Sequence, residues 1–501
     1  ALGECSVGKH FDILSFPKRL QPLRGMATES TTDSKLGNII VGTSGLMYGV
    51  GTDPNNPTNG KLWYRQGYGG SDVWASIPSN NQLSGAVLRT ADYAFLVEYV
   101  DAGNSRQMFW ASTNLIVASD PTGGSSVTTD ALTFATISNG FVHPKDKRLY
   151  FGYQTVASGG STYIGRISAN ATPFASKNYT ALQLPSQYRV YKVSDYGNYL
   201  AIFCTIPNGT NAGSSVVFLW DRDETLTTLS ESIPWGTGGL QAGGNLGGIL
   251  IGISTVSANF TSSVQDQDSI MIRAYAGGTE PTIIKEITAT RLTSTAPSCT
   301  INSNVSFAYK NRFYFSVNIV NGGTAPAYYG LWSVGKTKEG HWFVTIERVA
   351  TNANSETGVL AAAIAGDFVA TVHTTVGTIT ATTNGNSLAS IYGATSVYET
   401  GINPEMPELD KELDKKLIRV YATYLPLPAD ASVVMQYRVD GSANSSWTTI
   451  FTETTDSVVF TERQDASGTP FTDGRKYEFR LTSTGGGIIT GFGYEYNAKP
   501  R

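Results

Sequence analysis

The chain has 501 residues, more than one hydrophobic core usually serves, so at least two domains are expected. Charged residues make up 15%, well below the roughly 25% of an average globular chain, which leaves a neutral surface rich in Ser, Thr, Asn and Gly. Lys plus Arg number 36 against 40 Asp plus Glu, and this net charge of −4 excludes a broad electrostatic attraction for nucleic acid or anionic lipid.

Residues 1–35 carry no sustained hydrophobic period. Phe11, Ile13, Leu14 and Phe16 lie among Pro17, Lys18 and Arg19. Two readings stay open for them: an extended assembly arm that orders only against a neighbouring protein, or a segment packed on its own domain. The start, Ala1-Leu2-Gly3-Glu4-Cys5, lacks the basic-then-apolar pattern of a leader, so no signal peptide is expected. No run approaches the roughly 18 apolar residues of a membrane span. Cys5, Cys204 and Cys299 are odd in number and far apart, which suits free thiols better than disulfides or a metal site.

From 36 to 398 the chain alternates short apolar-aromatic runs with clusters of Gly, Asn, Asp and Ser. Ala94 to Tyr99, Arg148 to Tyr153, Asn198 to Phe203, Ser215 to Trp220 and Asn311 to Val317 are examples. Gly-rich turns joined to strands dense in Tyr (26) and Phe (21) are an all-β composition. Roughly 27 strands of this kind exceed what a single sandwich absorbs, and at about four per blade they predict a six- or seven-bladed β-propeller. A phrase made of a polar turn followed by an aromatic strand returns at Asp92, Lys147, Tyr196 and Lys310, and with one aromatic at Ala365. Each return is expected to mark the innermost strand of a blade.

Residues 399–416 are densely charged and flanked by Pro404 and Pro407, the marks of a solvated connector. Strand alternation restarts at 417 and runs to 501, where several short strands predict a β-sandwich.

The C-terminal block reads Lys416-Leu417-Ile418-Arg419-Val420-Tyr421-Ala422-Thr423-Tyr424-Leu425-Pro426-Leu427-Pro428, then Val434-Met435-Gln436-Tyr437-Arg438-Val439-Asp440-Gly441 and Ser446-Trp447-Thr448. Phe471 to Leu481 and Gly491 to Tyr496 follow, and Thr400-Gly401 precedes. It resembles the sandwich that closes many β-propeller virion proteins of tailed bacteriophages. That resemblance implies a structural component of the tail, nozzle, hub or baseplate, made in the host cytoplasm. It implies other virion proteins as partners and a cyclic homo-oligomer, and it transfers no catalytic residue.

Active-site patterns are absent from the sequence. The histidines His10, His143, His341 and His373 have no zinc-ligand spacing. No Gly-x-Ser-x-Gly elbow stands between a strand and a helix, and no glycine loop continues into the Lys-Ser/Thr of a phosphate cradle. Asp221, Asp223 and Glu231 are the acids to weigh as a hydrolytic pair, with a solvated hairpin loop as the preferred reading. The loop Asp53 to Asn59 offers oxygens to calcium only weakly. The expectation is therefore a non-enzyme without catalytic, cofactor or metal residues. Trp63, Tyr64, Tyr68 and Trp74 form the one candidate partner or host-glycan surface, with packing in a blade core preferred. The alternative function is a tail-borne receptor- or glycan-binding propeller.

Overall fold

The computed structural model describes residues 5–9, 11–12, 19–24, 26–28, 35–53, 56–65, 74–76, 82–83, 94–100, 106–112, 114–121, 127–156, 160–168, 172–208, 211–226, 228–256, 269–288, 297–321, 330–337, 340–349, 359–366, 368–373, 379–382, 395–400, 403–404, 406–407, 410, 413–440, 447–465 and 470–499. Every element among them is a β-strand. No helix is long and apolar enough to cross a membrane. The chain divides into two compact units, and neither is a single stretch of sequence. One is Thr28–Tyr329 with Ala350–Ala381; the other is Ala1–Ala27, Gly330–Val349 and Thr382–Arg501.

The first unit is a succession of small antiparallel sheets. Leu96–Val100, Arg106–Ser112, Leu115–Ser119 and Thr128–Ala131 pair in sequence order. So do Arg189–Tyr196, Tyr199–Asn208, Asn211–Trp220 and Glu231–Thr237. Gly239–Leu246, Ile249–Val256, Ser269–Tyr275 and Thr282–Thr288 repeat the pattern. Lys35–Val41, Met47–Asp53, Asn56–Arg65 and Trp74–Ser76 make another such sheet. In a further one, Thr136–Ile137 and Phe141–Val142 share Leu149–Gln154 as partner, and Thr162–Ile167 and Lys177–Leu184 follow. Pro297–Tyr309 pairs with Arg312–Asn321, and Val359–Ala365 with Phe368–His373. Tight turns make these hairpins possible. Gly247 and Gly248 both take positive φ (59° and 91°), the two-residue turn whose twist matches its flanking strands and which side chains resist.

Each sheet packs its apolar side chains on the next. Phe95 and Phe109 meet Phe151 and Leu149 in one cluster, and Phe203 and Leu219 meet Leu240 and Leu250 in another. Edge-to-face contacts recur at these seams, Phe95 on Phe151 at 5.0 Å and Tyr150 on Trp220 at 6.0 Å between ring centres. The seam between the unit's two ends is built the same way, with Leu36, Ile39, Trp63 and Trp74 against Ala361, Ala363, Phe368 and Val372. The succession of sheets is therefore closed on itself.

Of the expected innermost strands, the one that follows Asp92 holds, since Leu96–Val100 is the first strand of its sheet and lines the cavity, but the other four need correction. In Leu149–Gln154, Tyr199–Asn208, Arg312–Asn321 and Phe368–His373 the polar-turn-aromatic phrase opens the second strand of its sheet, not the first. Small residues such as Gly140, Gly243 and Ala363 line the cavity, beside larger ones such as Ile39 and Leu96.

The second unit holds two sheets. One runs, within this unit, Gly330–Lys336, Trp342–Val349, Cys5–Lys9, Ser396–Thr400, Tyr477–Thr484, Ser432–Val439 and Thr448–Glu453; the other runs Phe460–Gln464, Asp414–Tyr424 and Ile489–Lys499. Side chains from both enter one cluster: Tyr398, Met435, Tyr437, Tyr477, Phe479 and Leu481 from the first, Leu417, Val420, Tyr424 and Phe492 from the second. Burying a ring such as Phe479 contributes about 2–3 kcal/mol. Phe11 and Leu20 are fully buried in the same cluster, so at Phe11 the N-terminal segment packs on its own chain. Ile13, Leu14 and Phe16 lie outside the described residues.

In the charged segment 399–416, several of the described residues are tied to the second unit, while Glu405, Glu408, Lys411 and Glu412 lie outside the described residues. Glu399 takes Arg480 Nε at 2.8 Å, and Lys415 Nζ donates to the carbonyls of Arg475 at 2.7 Å and Leu413 at 2.8 Å. Asn403 accepts from Tyr477 N and donates Nδ2 to the Arg475 carbonyl, fixing the segment to the strand that follows the turn. Asp414 and Lys416 are paired as well, with Arg475 and Asp465, but at the surface.

Candidate functional site

The first unit contains a half-open cavity of about 630 Å³ at the meeting point of its innermost strands. Residues 38–43, 94, 96–98, 139–141, 192–195, 243–245, 304, 306–309 and 362–364 line it, so seven different sheets reach it. Glycines let the strands come this close. A Cβ at Gly140 would lie 2.6 Å from Val97 Cγ1, and one at Gly243 would overlap the Phe203 ring.

Most polar groups on this wall tie one innermost strand to the next. Glu98 accepts the Thr43 amide and pairs with Arg106 Nε at 3.2 Å. Asn139 acts like a strand partner, accepting Val193 N at 2.9 Å and donating to Val193 O at 3.2 Å. Asn245 Nδ2 donates to Asp195 at 3.1 Å. Ser306 Oγ accepts Gly243 N at 2.9 Å and donates to Gly243 O at 2.8 Å. Such bonds contribute about 1 kcal/mol each, but leaving their buried backbone partners unsatisfied costs about 1–3 kcal/mol.

Lys192 is the exception. Its side chain lines the cavity and is more than nine-tenths buried, yet no hydrogen bond or ion pair reaches it among the described residues. Burial pushes its ammonium down to about 7. A β-bulge between Val190 and Lys192 sets its direction, since Val190 and Val193 both enter the apolar cluster on the opposite side. Nothing in Val190-Tyr191-Lys192-Val193 distinguishes this lysine from an exposed one on an alternating strand.

A second polar group lies between two neighbouring sheets, away from the cavity. Arg166 forks onto Glu224 with Nε to Oε1 at 2.7 Å and Nη2 to Oε2 at 2.9 Å, and Asn178 adds a bond to Oε2 at 2.8 Å. The Arg166 bond, foremost, holds Glu224 below the usual carboxylate range. Beside it Arg222 bonds His143 Nδ1 at 2.6 Å. Burial first, and the Arg222 charge second, push His143 below its ordinary value. These groups satisfy one another and form no open site.

The acids weighed from the sequence do not assemble at the cavity. Asp221 accepts the Asp223 amide at 3.0 Å and Asp223 caps Thr225 at 2.6 Å, which is the local bonding of a turn. Glu231 accepts from the Tyr275 hydroxyl at 3.1 Å. The surface role weighed for Trp63 and Trp74 is corrected: both are buried, at the seam that closes the unit, because large rings fill the diverging space between sheets. Tyr64 is half-buried and Tyr68 lies outside the described residues. Within Asp53 to Asn59, residues 54–55 also lie outside them, and among the described residues no three His, Cys, Asp or Glu are grouped to hold a metal. Cys204 is buried and free, while nothing is described of the Cys5 and Cys299 side chains.

No family model matches the chain. No curated protein matches it either. Solved structures similar to it include the β-propeller domain of Cps50 (Swd1) from Myceliophteria thermophila, at 10% identity over 72% of this chain and 98% of that one, with a TM-score of 0.43. Streptogramin B lyase is similar at 12% identity over 72% and 97%, TM-score 0.41. An exo-β-1,3-galactanase from Phanerochaete chrysosporium is similar at 10% identity over 95% and 100%, TM-score 0.33. These proteins differ in activity, and likenesses this distant assign none of those activities to the present chain.

Proposed function

We propose that the chain is a non-catalytic structural protein of a tailed-bacteriophage particle: a seven-bladed β-propeller joined to a two-layer β-sandwich, working through protein–protein contacts in the tail. The blade count rests on the seven sheets that reach one cavity. The virion reading rests on the C-terminal block and its resemblance to propeller-closing sandwiches of phage tails. The observation that carries it furthest is that Tyr437, Tyr477, Phe479 and Phe492 of that block converge in one core. A cyclic assembly would suit the neutral surface of such a chain.

The reading is tested by purifying phage particles from lysates of the host strain that carries this gene and probing them with antibody to the chain. Co-purification at a fixed copy number per particle is expected. A chain found only in the soluble, particle-free fraction would end the proposal. The glycan-binding alternative has lost Trp63 and Trp74 as exposed stacking surfaces, so a glycan array is expected to show no saturable binding.

A further inference from the structure

The cavity wall carries four titratable side chains, Glu98, Lys192, Asp195 and Tyr309. Three are engaged. Glu98 is held by Arg106 and the Thr43 amide, Asp195 by Asn245, and the Tyr309 hydroxyl accepts the Gly366 amide at 2.9 Å. The Lys192 side chain alone, more than nine-tenths buried, has no hydrogen bond or ion pair among the described residues. An unpaired buried charge is among the costlier features a fold can keep, and a hydrophobic side chain of similar length would fill the space without that cost.

We propose that the cavity is a binding site for a small molecule bearing a compact oxyanion, carboxylate or phosphate, with Lys192 as the residue that anchors it. The chemistry is that of the missing partner. Carboxylate and phosphate oxygens accept the three ammonium donors and supply the counter-charge, whereas a cation would meet an uncompensated positive group. The cavity, at about 630 Å³, is of the size that takes a metabolite-sized ligand. Glu98 and Asp195, already bonded within the wall, limit the site to a ligand whose charge is localised at one end. The inference does not depend on where the chain resides, so it stands or falls separately from the virion reading.

The test is calorimetric titration of the full chain, in chloride buffer at constant ionic strength, with inorganic phosphate in one arm and acetate in the other. Saturable binding in either arm, weakened at least about tenfold (1.4 kcal/mol) by Lys192→Met and retained by Lys192→Arg, is expected, and the arm that binds identifies the oxyanion. Equal heats for wild type and Lys192→Met, or none in either arm, would overturn it. Because a variant could fail to fold, the wild type is also treated with pyridoxal 5′-phosphate. Its aldehyde carbon condenses with the Lys192 amine, water leaves, and borohydride reduces the imine to a stable secondary amine. Peptide mass spectrometry is expected to find Lys192 tagged ahead of surface lysines and protected by the oxyanion that binds. Tagging confined to surface lysines would overturn the proposal.

Discussion

The two units hold themselves together by different means. In the unit of small sheets, cohesion near the cavity is polar and directional: Asn139 on Val193, Ser306 on Gly243, Asn245 on Asp195. In the other, two sheets share one aromatic cluster, and charge lies on one face as a ladder. Arg438 pairs with Glu478, Arg480 pairs with Glu399, and both guanidiniums cover the Trp447 ring at 4.6 and 4.2 Å. Around the cavity, directional bonds work beside apolar side chains such as Ile39, Leu96 and Val97, whereas the two sheets of the other unit are joined by rings in one shared cluster.

If this contrast is right, the largest loss comes from the second unit's core. Tyr477 is fully buried, and its hydroxyl donates to the Thr472 carbonyl at 2.7 Å, so Tyr477→Ala is expected to cost about 3–5 kcal/mol in denaturant unfolding. A cost under 1 kcal/mol would mean the shared cluster does not hold that unit. Overpacking the crowded strands comes next. Gly140→Val should cost about 1–3 kcal/mol through collision with Val97, and a neutral result would show that the strands can spread. Asn139→Ala leaves the Val193 amide and carbonyl without their side-chain partner and should cost about 2 kcal/mol, with Asn139→Asp failing to restore it.

The last effect is a pH slope. Lys192 is held near 7 in the folded chain against an ordinary value of 10.5. Between these values the unfolded chain binds a proton that the folded chain does not, so stability rises with pH across that window, by about 1 kcal/mol per pH unit. Below pH 7 both states are charged and the contribution is flat. Wild type should therefore gain on Lys192→Met from pH 7 to pH 9 in chloride buffer. A parallel pair of curves would show that the ammonium is not desolvated.

Strand positions were largely legible in the sequence, because short apolar-aromatic runs bounded by turn residues, such as Leu149–Gln154 and Asn211–Trp220, reflect burial in a sheet. Their radial order was not. Aromatic strands attract the eye, while the strands lining the cavity are marked by small residues that also occur in loops. The ties between neighbouring cavity strands join residues 50 to 63 positions apart, and no local pattern encodes Asn139 meeting Val193 or Ser306 meeting Gly243. Lys192 was missed because its direction depends on a bulge that alternation hides. The pairing of Glu399 was illegible for the converse reason: its partner Arg480 lies far along the chain.

The most direct measurement is electron cryo-microscopy of purified particles at a resolution that traces this chain. The account predicts a ring-symmetric set of copies in the tail, each with a closed wheel of seven blades and with Phe11 and Tyr477 in the core of its other unit. Particles without the chain, or an open arrangement of its sheets, would contradict it.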